Sequence, residues 1–384
     1  MVIKVLIAED SAFQRKIITD MLSENDVIEV VGQARNGREA IEMVETLQPD
    51  VLVLDIIMPE MDGLTAFKHI IQHHPIPTIV FSVLDPISTD DSIQALLIGA
   101  FDYLIKPGGV WKDEFPKFRE ELIKKVLLAS KSKVREVDAE IEDIEVDKKF
   151  TKEFPRSLYK KKNGARKPLP DNWEEMINVK PLKTVRLDTN AVVIGASVGG
   201  PGTIKGILKK LPAEFPAPVF IVQHINAEFC SVFARALQSA CQIRVKVGED
   251  GEMVEPGTVY IAPGEKHMEI SVSQRRPCIK TYFGEPVNYC IPSIDVLFLS
   301  AAKVYGGNLM SIILTGMGED GVAGMGAIQK LGGVTITESK ETCVLYGIPK
   351  IAAQRGIADY ILPNYEIKDR MIEYANKLLY NYNV

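Results

Sequence analysis

Short apolar runs alternate with segments of helical period along residues 1–130, and the alternation resumes after residue 190. In the first stretch the expected strands are Ile3–Ala8, Ile28–Ala34, Val51–Leu54, Thr78–Phe81 and Asp102–Ile105. Helical patterns over Ala12–Leu22, Gly37–Leu47, Gly63–His73, Ser88–Ile98 and Phe115–Ser130 separate and close them. A strand that is apolar throughout must be covered on both faces, so the pattern predicts a parallel sheet wound with helices on each side. Ligands of such sheets bind beyond the carboxyl ends of the strands. The chain has 384 residues, too many for one ordinary core, so two domains are expected.

In the first domain the strand ends carry the informative polar groups. Glu9 and Asp10 follow the first strand, Asp55 ends the third, Ser82 the fourth and Lys106 the fifth. Three carboxylates at one edge repel each other unless a cation sits among them, and hard oxygen donors suit Mg²⁺. A carboxylate beside Mg²⁺ can attack a phosphoryl group and form an aspartyl-phosphate. Lys106 and Ser82 would then serve the phosphoryl oxygens. His69 and His73 stand four apart on a helix, but without a third ligand they read as a solvated face.

These residues resemble the response-regulator receiver domain. Glu9-Asp10 looks like its acidic metal pair, Leu54-Asp55-Ile56-Ile57-Met58-Pro59-Glu60-Met61-Asp62-Gly63 like its phosphorylation stretch, and Ser82 and Lys106-Pro107 like its hydroxyl and Lys-Pro positions. The resemblance implies a flavodoxin-like domain with a five-stranded parallel sheet. It implies phosphorylation of Asp55 by a histidine kinase, Mg²⁺ held by Glu9, Asp10 and Asp55, and a switch aromatic at Tyr103.

In the second domain Gly195-Ala196-Ser197-Val198-Gly199-Gly200 follows the apolar run Ala191–Ile194 and precedes a helical pattern. A serine on such a strand-to-helix turn is uncrowded and faces the free N–H groups of a helix start. G-x-S-x-G is the spacing of a nucleophile elbow, and equally of a plain tight turn or phosphate loop. His224 ends the apolar run Pro218–Gln223, and Asp320 follows the run Leu309–Leu314. Taken singly, His224 reads as a core histidine and Asp320 as a helix cap. Together they supply a nucleophile, a base and an orienting carboxylate at one sheet edge. The order Ser…His…Asp is not that of the α/β-hydrolase fold. Further strands are expected at Val334–Ile336 and Tyr360–Leu362, with a closing helix over Ile367–Tyr380.

Residues 189–384 also resemble the catalytic domain of the chemotaxis protein-glutamate methylesterases. The likeness is carried by the 195–200 turn, Val222-Gln223-His224, Tyr260–Gly264 with His267-Met268, Pro292–Phe298, Leu314–Gly321 and Tyr346–Pro349. It implies a mainly parallel α/β domain with Ser197, His224 and Asp320 as the triad, and Met317 lending its backbone N–H to an oxyanion. No cofactor is implied for the esterase. The implied substrates are glutamate methyl esters on chemoreceptors, with deamidation of receptor glutamines by the same acyl chemistry. The unphosphorylated receiver is implied to cover the catalytic crevice. Ile225-Asn226 departs from the family's Met-Pro after the histidine, and Glu338-Ser339-Lys340 from a Gln-Asp-Glu-like stretch. The alternative is a receiver-controlled serine hydrolase of another ester or amide. A non-catalytic nucleotide-binding or scaffold protein lacks an acidic ribose partner at the expected spacing.

Between the two domains, residues 131–188 hold 27 charged residues among 58 and four prolines, which reads as a charged linker without a core of its own. Val134–Val146 could lengthen the preceding helix, and Phe150, Phe154, Tyr159 or Trp173 could anchor a docking segment. Net charge is −9 over residues 1–130, +3 over the linker and zero beyond, which does not suggest nucleic acid. The five cysteines include no C-x-x-C pair, the chain start lacks a signal-peptide layout, and no run is long enough to span a bilayer. A cytoplasmic monomer without membrane insertion is expected.

Overall fold

In a computed structural model of the protein, residues 2–107, 111–134, 178–182, 185, 187 and 189–381 are described. The first domain orders its strands β2 (Ile28–Ala34), β1 (Ile3–Ala8), β3 (Val51–Asp55), β4 (Thr78–Ser82) and β5 (Asp102–Ile105), all parallel. Helices α1 (Ala12–Ser23), α2 (Gly37–Leu47), α3 (Gly63–His73), α4 (Pro86–Ile98) and α5 (Trp111–Ala129) alternate with them. Local chemistry sets the starts. Ser11, Asn36 and Asp62 each accept an N–H from the first turn of α1, α2 and α3. Helix α4 begins two residues earlier than its apolar period suggests. Asp85 caps it by accepting from the Ile87 and Ser88 N–H groups, and Pro86 occupies a first-turn position where no N–H is needed.

The second domain is a seven-stranded sheet in which every pairing is parallel. Its order is β14 (Tyr360–Leu362), β13 (Val334–Glu338), β12 (Leu309–Ile313), β6 (Ala191–Ala196), β7 (Val219–Gln223), β9 (Thr258–Ile261), β8 (Arg244–Val247). Strand β6 is fully buried and its side chains divide between two cores. Val192, Ile194 and Ala196 join residues of α6 (Gly200–Leu208), α7 (Ala227–Ala240) and α11 (Asn364–Asn381). Ala191 and Val193 join α8 (Ile294–Tyr305) and α9 (Val322–Lys330) on the other face. The chain leaves β6 for β7 on one side and fills β12 on the other side later. The crevice at this switch in direction lies at the carboxyl end of β6.

Three elements are not legible as such in the sequence: α8, α10 (Ile348–Gln354) and the antiparallel hairpin of β10 (His267–Ser273) and β11 (Arg276–Tyr282). The hairpin turns on Gln274 and Arg275, both at positive φ, so the usual Asn-Gly or Asp-Gly signal is missing.

Helix α5 stops at Ala129 in closing turns, with Ser132 N–H donating to Ala129 O, and Val134 is not helical. The helix has thus ended before Val134; residues 135–146 of the Val134–Val146 stretch lie outside the described residues, as do Phe150, Phe154, Tyr159 and Trp173. Near the other end of this segment, Val179 packs on the second domain and Leu182 N–H donates to Lys303 O.

The two domains touch. Tyr103 of β5 stacks on Phe229 of α7, ring centroids 4.3 Å apart, and accepts the Asn226 N–H on its hydroxyl at 3.2 Å. Arg235 of α7 pairs with Asp90 of α4 at 3.3 Å. Val344 is buried in the cluster built around α5, and Val198 packs against that cluster. Lys133 N–H donates to Val344 O.

Candidate active site and phosphoryl pocket

Ser197 and His224 are the first residues past the ends of neighbouring parallel strands. Ala196 pairs with Gln223 in register, and His224 N–H donates to Ala196 O. On the other flank Ser197 N–H donates to Thr315 O. Gly199 takes φ +73° to turn the chain into α6. Gly316 lies so close that a Cβ there would sit 2.5 Å from Ser197 Cβ. The Val198 N–H, next to the serine in the chain, and the Met317 N–H, next to Gly316, donate no hydrogen bond among the described residues. Gln223 fixes the turn by donating its side-chain amide to Ser197 O at 2.9 Å and His224 O at 3.3 Å.

Asp320 is buried and its carboxylate is saturated. Oδ2 lies 2.9 Å from His224 Nε2 and accepts the Ile294 N–H at 2.7 Å. Oδ1 accepts the Ser293 hydroxyl at 2.7 Å, the Asp295 N–H at 3.1 Å and the Asn288 amide at 3.1 Å. Two of these donors are the first N–H groups of α8, so the carboxylate sits on the positive end of that helix. Burial alone would raise its pKa. The His224 hydrogen bond and charge, with the Ile294 and Ser293 donors, outweigh burial and hold it below the usual range. Beside it Asp295, equally buried, accepts from Gly324 N–H at 2.7 Å and from Asn288 at 2.6 Å. Burial, then the charge of Asp320, pushes Asp295 up to about 7.

Of the three residues expected from the sequence, His224 and Asp320 are hydrogen-bonded, and the pairing of β6 with β7 sets Ser197 beside His224 in the backbone. The hydrogen bond expected between the Ser197 hydroxyl and His224 is not formed among the described residues. The ring's other nitrogen, Nδ1, faces Cys290 Sγ at 3.8 Å instead. Burial works against a charged ring, but the hydrogen bond to Asp320 and the contacts with Cys290 outweigh it and push His224 up to about 10. The ring thus turns Nδ1 to the Cys290 thiol rather than to the serine hydroxyl. Serine–base hydrogen bonds commonly tighten only when substrate is bound.

At the receiver edge, Lys106 Nζ lies 2.7 Å from both Asp55 Oδ2 and Glu9 Oε2, and all three side chains are buried. The contact with Glu9 lacks hydrogen-bond direction, which leaves Oε2 a buried oxygen without a hydrogen-bond donor. Burial, then the charge of Asp55, pushes Glu9 up to about 7 against the pull of Lys106. Burial likewise raises Asp55. One oxygen from each of Glu9, Asp10 and Asp55 can be chosen so that all lie within 4.8 Å of one another. A crowded set of hard oxygens such as this fits a divalent cation such as Mg²⁺. Ser82 Oγ is 3.0 Å from Ser88 Oγ, and Tyr103 is packed against the second domain. His69 and His73 stack on each other and belong to no ligand cluster among the described residues.

Sequence reasoning did not single out Cys290, Asn288, Ser293, Asp295 or Gln223 as site residues. Pro292–Phe298 was visible as a motif, yet only the fold shows that it delivers a helix N-terminus to Asp320. The buried Glu338, which accepts the Thr315 N–H at 2.9 Å and the Thr342 hydroxyl at 2.9 Å, braces the loop behind Ser197 and was likewise unforeseen.

The profile of the family described as CheB methylesterase matches residues 192–371, and that of the response regulator receiver domain matches residues 5–111. A protein-glutamate methylesterase/protein-glutamine glutaminase of Archaeoglobus fulgidus is 39% identical over 371 residues, covering 97% of each chain. One from Halalkalibacterium halodurans is 35% identical over 376 residues, covering 98% of this chain and 99% of its own. The crystal structure of the Thermotoga maritima CheB methylesterase catalytic domain shares 40% identity, covers 49% of this chain and 99% of its own, and superposes with a TM-score of 0.48. With a receiver sheet, a second parallel sheet and near full-length similarity to these relatives, the chain belongs to the CheB family of protein-glutamate methylesterases/protein-glutamine glutaminases.

Proposed function

We propose that this chain hydrolyses glutamate methyl esters on chemoreceptors in chemotaxis adaptation and deamidates selected receptor glutamines. Phosphorylation of its own receiver is its control. The assignment divides the chain into a receiver at residues 1–130, a linker at 131–188 and a catalytic domain at 189–384. The residues assigned to both sites come from one chain, so a monomer suffices, acting in the cytoplasm. No described helix is long and apolar enough to cross a membrane.

The observation that carries the reading is the His224–Asp320 pair beside Ser197 at the carboxyl end of β6. With Nε2 on Asp320, the proton-accepting nitrogen must be Nδ1. Ser197 Oγ attacks the ester carbonyl as its proton passes to Nδ1, and the Met317 and Val198 N–H groups stabilise the oxyanion. The imidazolium then protonates the departing methoxide, methanol leaves, and water, deprotonated by the same nitrogen, releases glutamate from the acyl-enzyme. Glutamine follows the same path with ammonia as the leaving group.

In the receiver, Glu9, Asp10 and Asp55 would hold Mg²⁺, which screens the phosphoryl oxygens while Asp55 accepts the group from a histidine kinase. Lys106 and Ser82 would bind the phosphoryl group. Control follows from contacts on both sides of the crevice: Tyr103 next to His224 through Asn226, and the α5 cluster next to Ser197 through Val198 and Val344. Methanol release from methylated receptor, with and without a small-molecule phosphodonor, tests the reading. The expected result is phosphodonor-stimulated release that disappears in S197A. Release only from small esters would favour the receiver-controlled hydrolase of another substrate.

A further inference from the structure

We propose that Cys290 and His224 form a binding site for a soft divalent cation, zinc above all, whose occupation silences the esterase by taking the nitrogen that must accept the serine proton. The proposal rests on His224 acting as the base.

Cys290 Sγ lies 3.8 Å from His224 Nδ1, a separation that one ion can bridge, since zinc sits about 2.3 Å from sulfur and about 2.0–2.1 Å from nitrogen. Thiol and imidazole are the ligand types that select zinc over magnesium. The ring is already prepared for this role. Its far nitrogen, Nε2, is held by Asp320 at 2.9 Å, the carboxylate–histidine arrangement that orients a ligating imidazole and raises its basicity. Asp320 is itself fixed by Ser293, Asn288 and the start of α8, so the ring is presented in one orientation. Sulfur, ring nitrogen and carboxylate can each contribute one atom to a group lying within 4.8 Å of one another. Cys290 is held in place from behind, its thiol 3.4 Å from Asn288 O, and it is half-buried, within reach of solvent.

The ion would join Sγ and Nδ1, with water in its remaining positions. Binding displaces the thiol proton of Cys290, and any proton on Nδ1, to solvent. The Nδ1 lone pair then lies on the metal and cannot receive the Ser197 proton. With two protein ligands rather than the four of a structural cage, binding is reversible and the ion acts as an inhibitor that chelators remove.

The test uses the full chain and Co²⁺ as a spectroscopic stand-in, then Zn²⁺ in the methanol-release assay. A thiolate-to-cobalt charge-transfer band should appear in the wild type and vanish in C290S. Cobalt bound among the receiver carboxylates has no sulfur ligand and gives no such band. Zinc should inhibit the wild type reversibly, and C290S should need at least about tenfold more zinc for the same fractional inhibition. No band, or equal zinc sensitivity in C290S, overturns the proposal. If the chain released no methanol from receptors at all, the proposed function would fail while the cobalt band still decided the site.

Discussion

Replacing Tyr103 with Phe removes one oxygen and leaves the ring that stacks on Phe229. In the packed arrangement that oxygen is the acceptor of the Asn226 N–H at 3.2 Å, two residues beyond His224. Without it the N–H is left without its partner whenever the domains are packed, but is hydrated when they separate. The cost falls on the packed state alone, about 1–3 kcal/mol for a desolvated donor. A difference of that size shifts a two-state equilibrium by about 5–150-fold. Only such a differential effect can move the switch. In unphosphorylated Y103F, methanol release from methylated receptor should therefore rise severalfold or more, while the phosphorylated rate, set by the separated state, stays near that of wild type. Removing the donor instead gives an independent check. Asn226 has φ −74°, which suits proline. N226P removes that N–H and also the Asn226 Oδ1 cap on the Phe229 N–H; it should raise unphosphorylated release at least as much, and adding Y103F to it should do little more, because the Tyr103 bond is already gone. An unphosphorylated rate unchanged in both variants, or fully additive effects, would refute the claim that this bond restrains the enzyme.

Other consequences follow from the same geometry. D55N should release methanol at one rate with or without phosphodonor; a persistent response would place the switch elsewhere. N288A withdraws the amide shared by Asp295 and Asp320, so thermal or denaturant unfolding should show a loss of about 1–3 kcal/mol, and kcat should fall more than KM rises. Asp295, pushed up to about 7 by burial and then by Asp320, holds more protons folded than unfolded, where its pKa is about 3.9. Its contribution to stability is complete below the unfolded value and is lost as pH rises towards 7, by at most about 4 kcal/mol. The stability of D295N relative to wild type should therefore improve from pH 4 to pH 7 in denaturant titrations, and a flat difference would contradict the assignment.

The sheet edge was legible because strand ends are chemically marked. Apolar runs stop at Asp55, Ser82, Lys106, Ser197 and His224, and parallel strands bring such stops together whatever their distance in sequence. Asp320 was legible only as a carboxylate past a strand end, since it is the seventh residue beyond the end of β12 at Ile313. What it touches depends on α8, whose N-terminus arrives from another part of the chain. Cys290 was opaque for the same reason. No periodicity marks it, and its meaning lies in one contact with a ring 66 residues away. The Tyr103–Asn226 bond was half legible. Tyr103 stood out as an aromatic at a switch position and Asn226 as a departure from Met-Pro, but only the packed domains show that the departure supplies an N–H that proline lacks. The α4 boundary shows the limit of periodicity: Asp85 and Pro86 set the start by capping, before the apolar pattern begins.

The most direct measurement of the central claim is peptide mass spectrometry of the chain after treatment with a serine-directed phosphonate, with and without phosphodonor. The account predicts one adduct, on Ser197, faster with phosphodonor and nearly lost in H224A. Labelling elsewhere with Ser197 intact, or equal labelling of Ser197 in H224A, would contradict a nucleophile activated by that histidine.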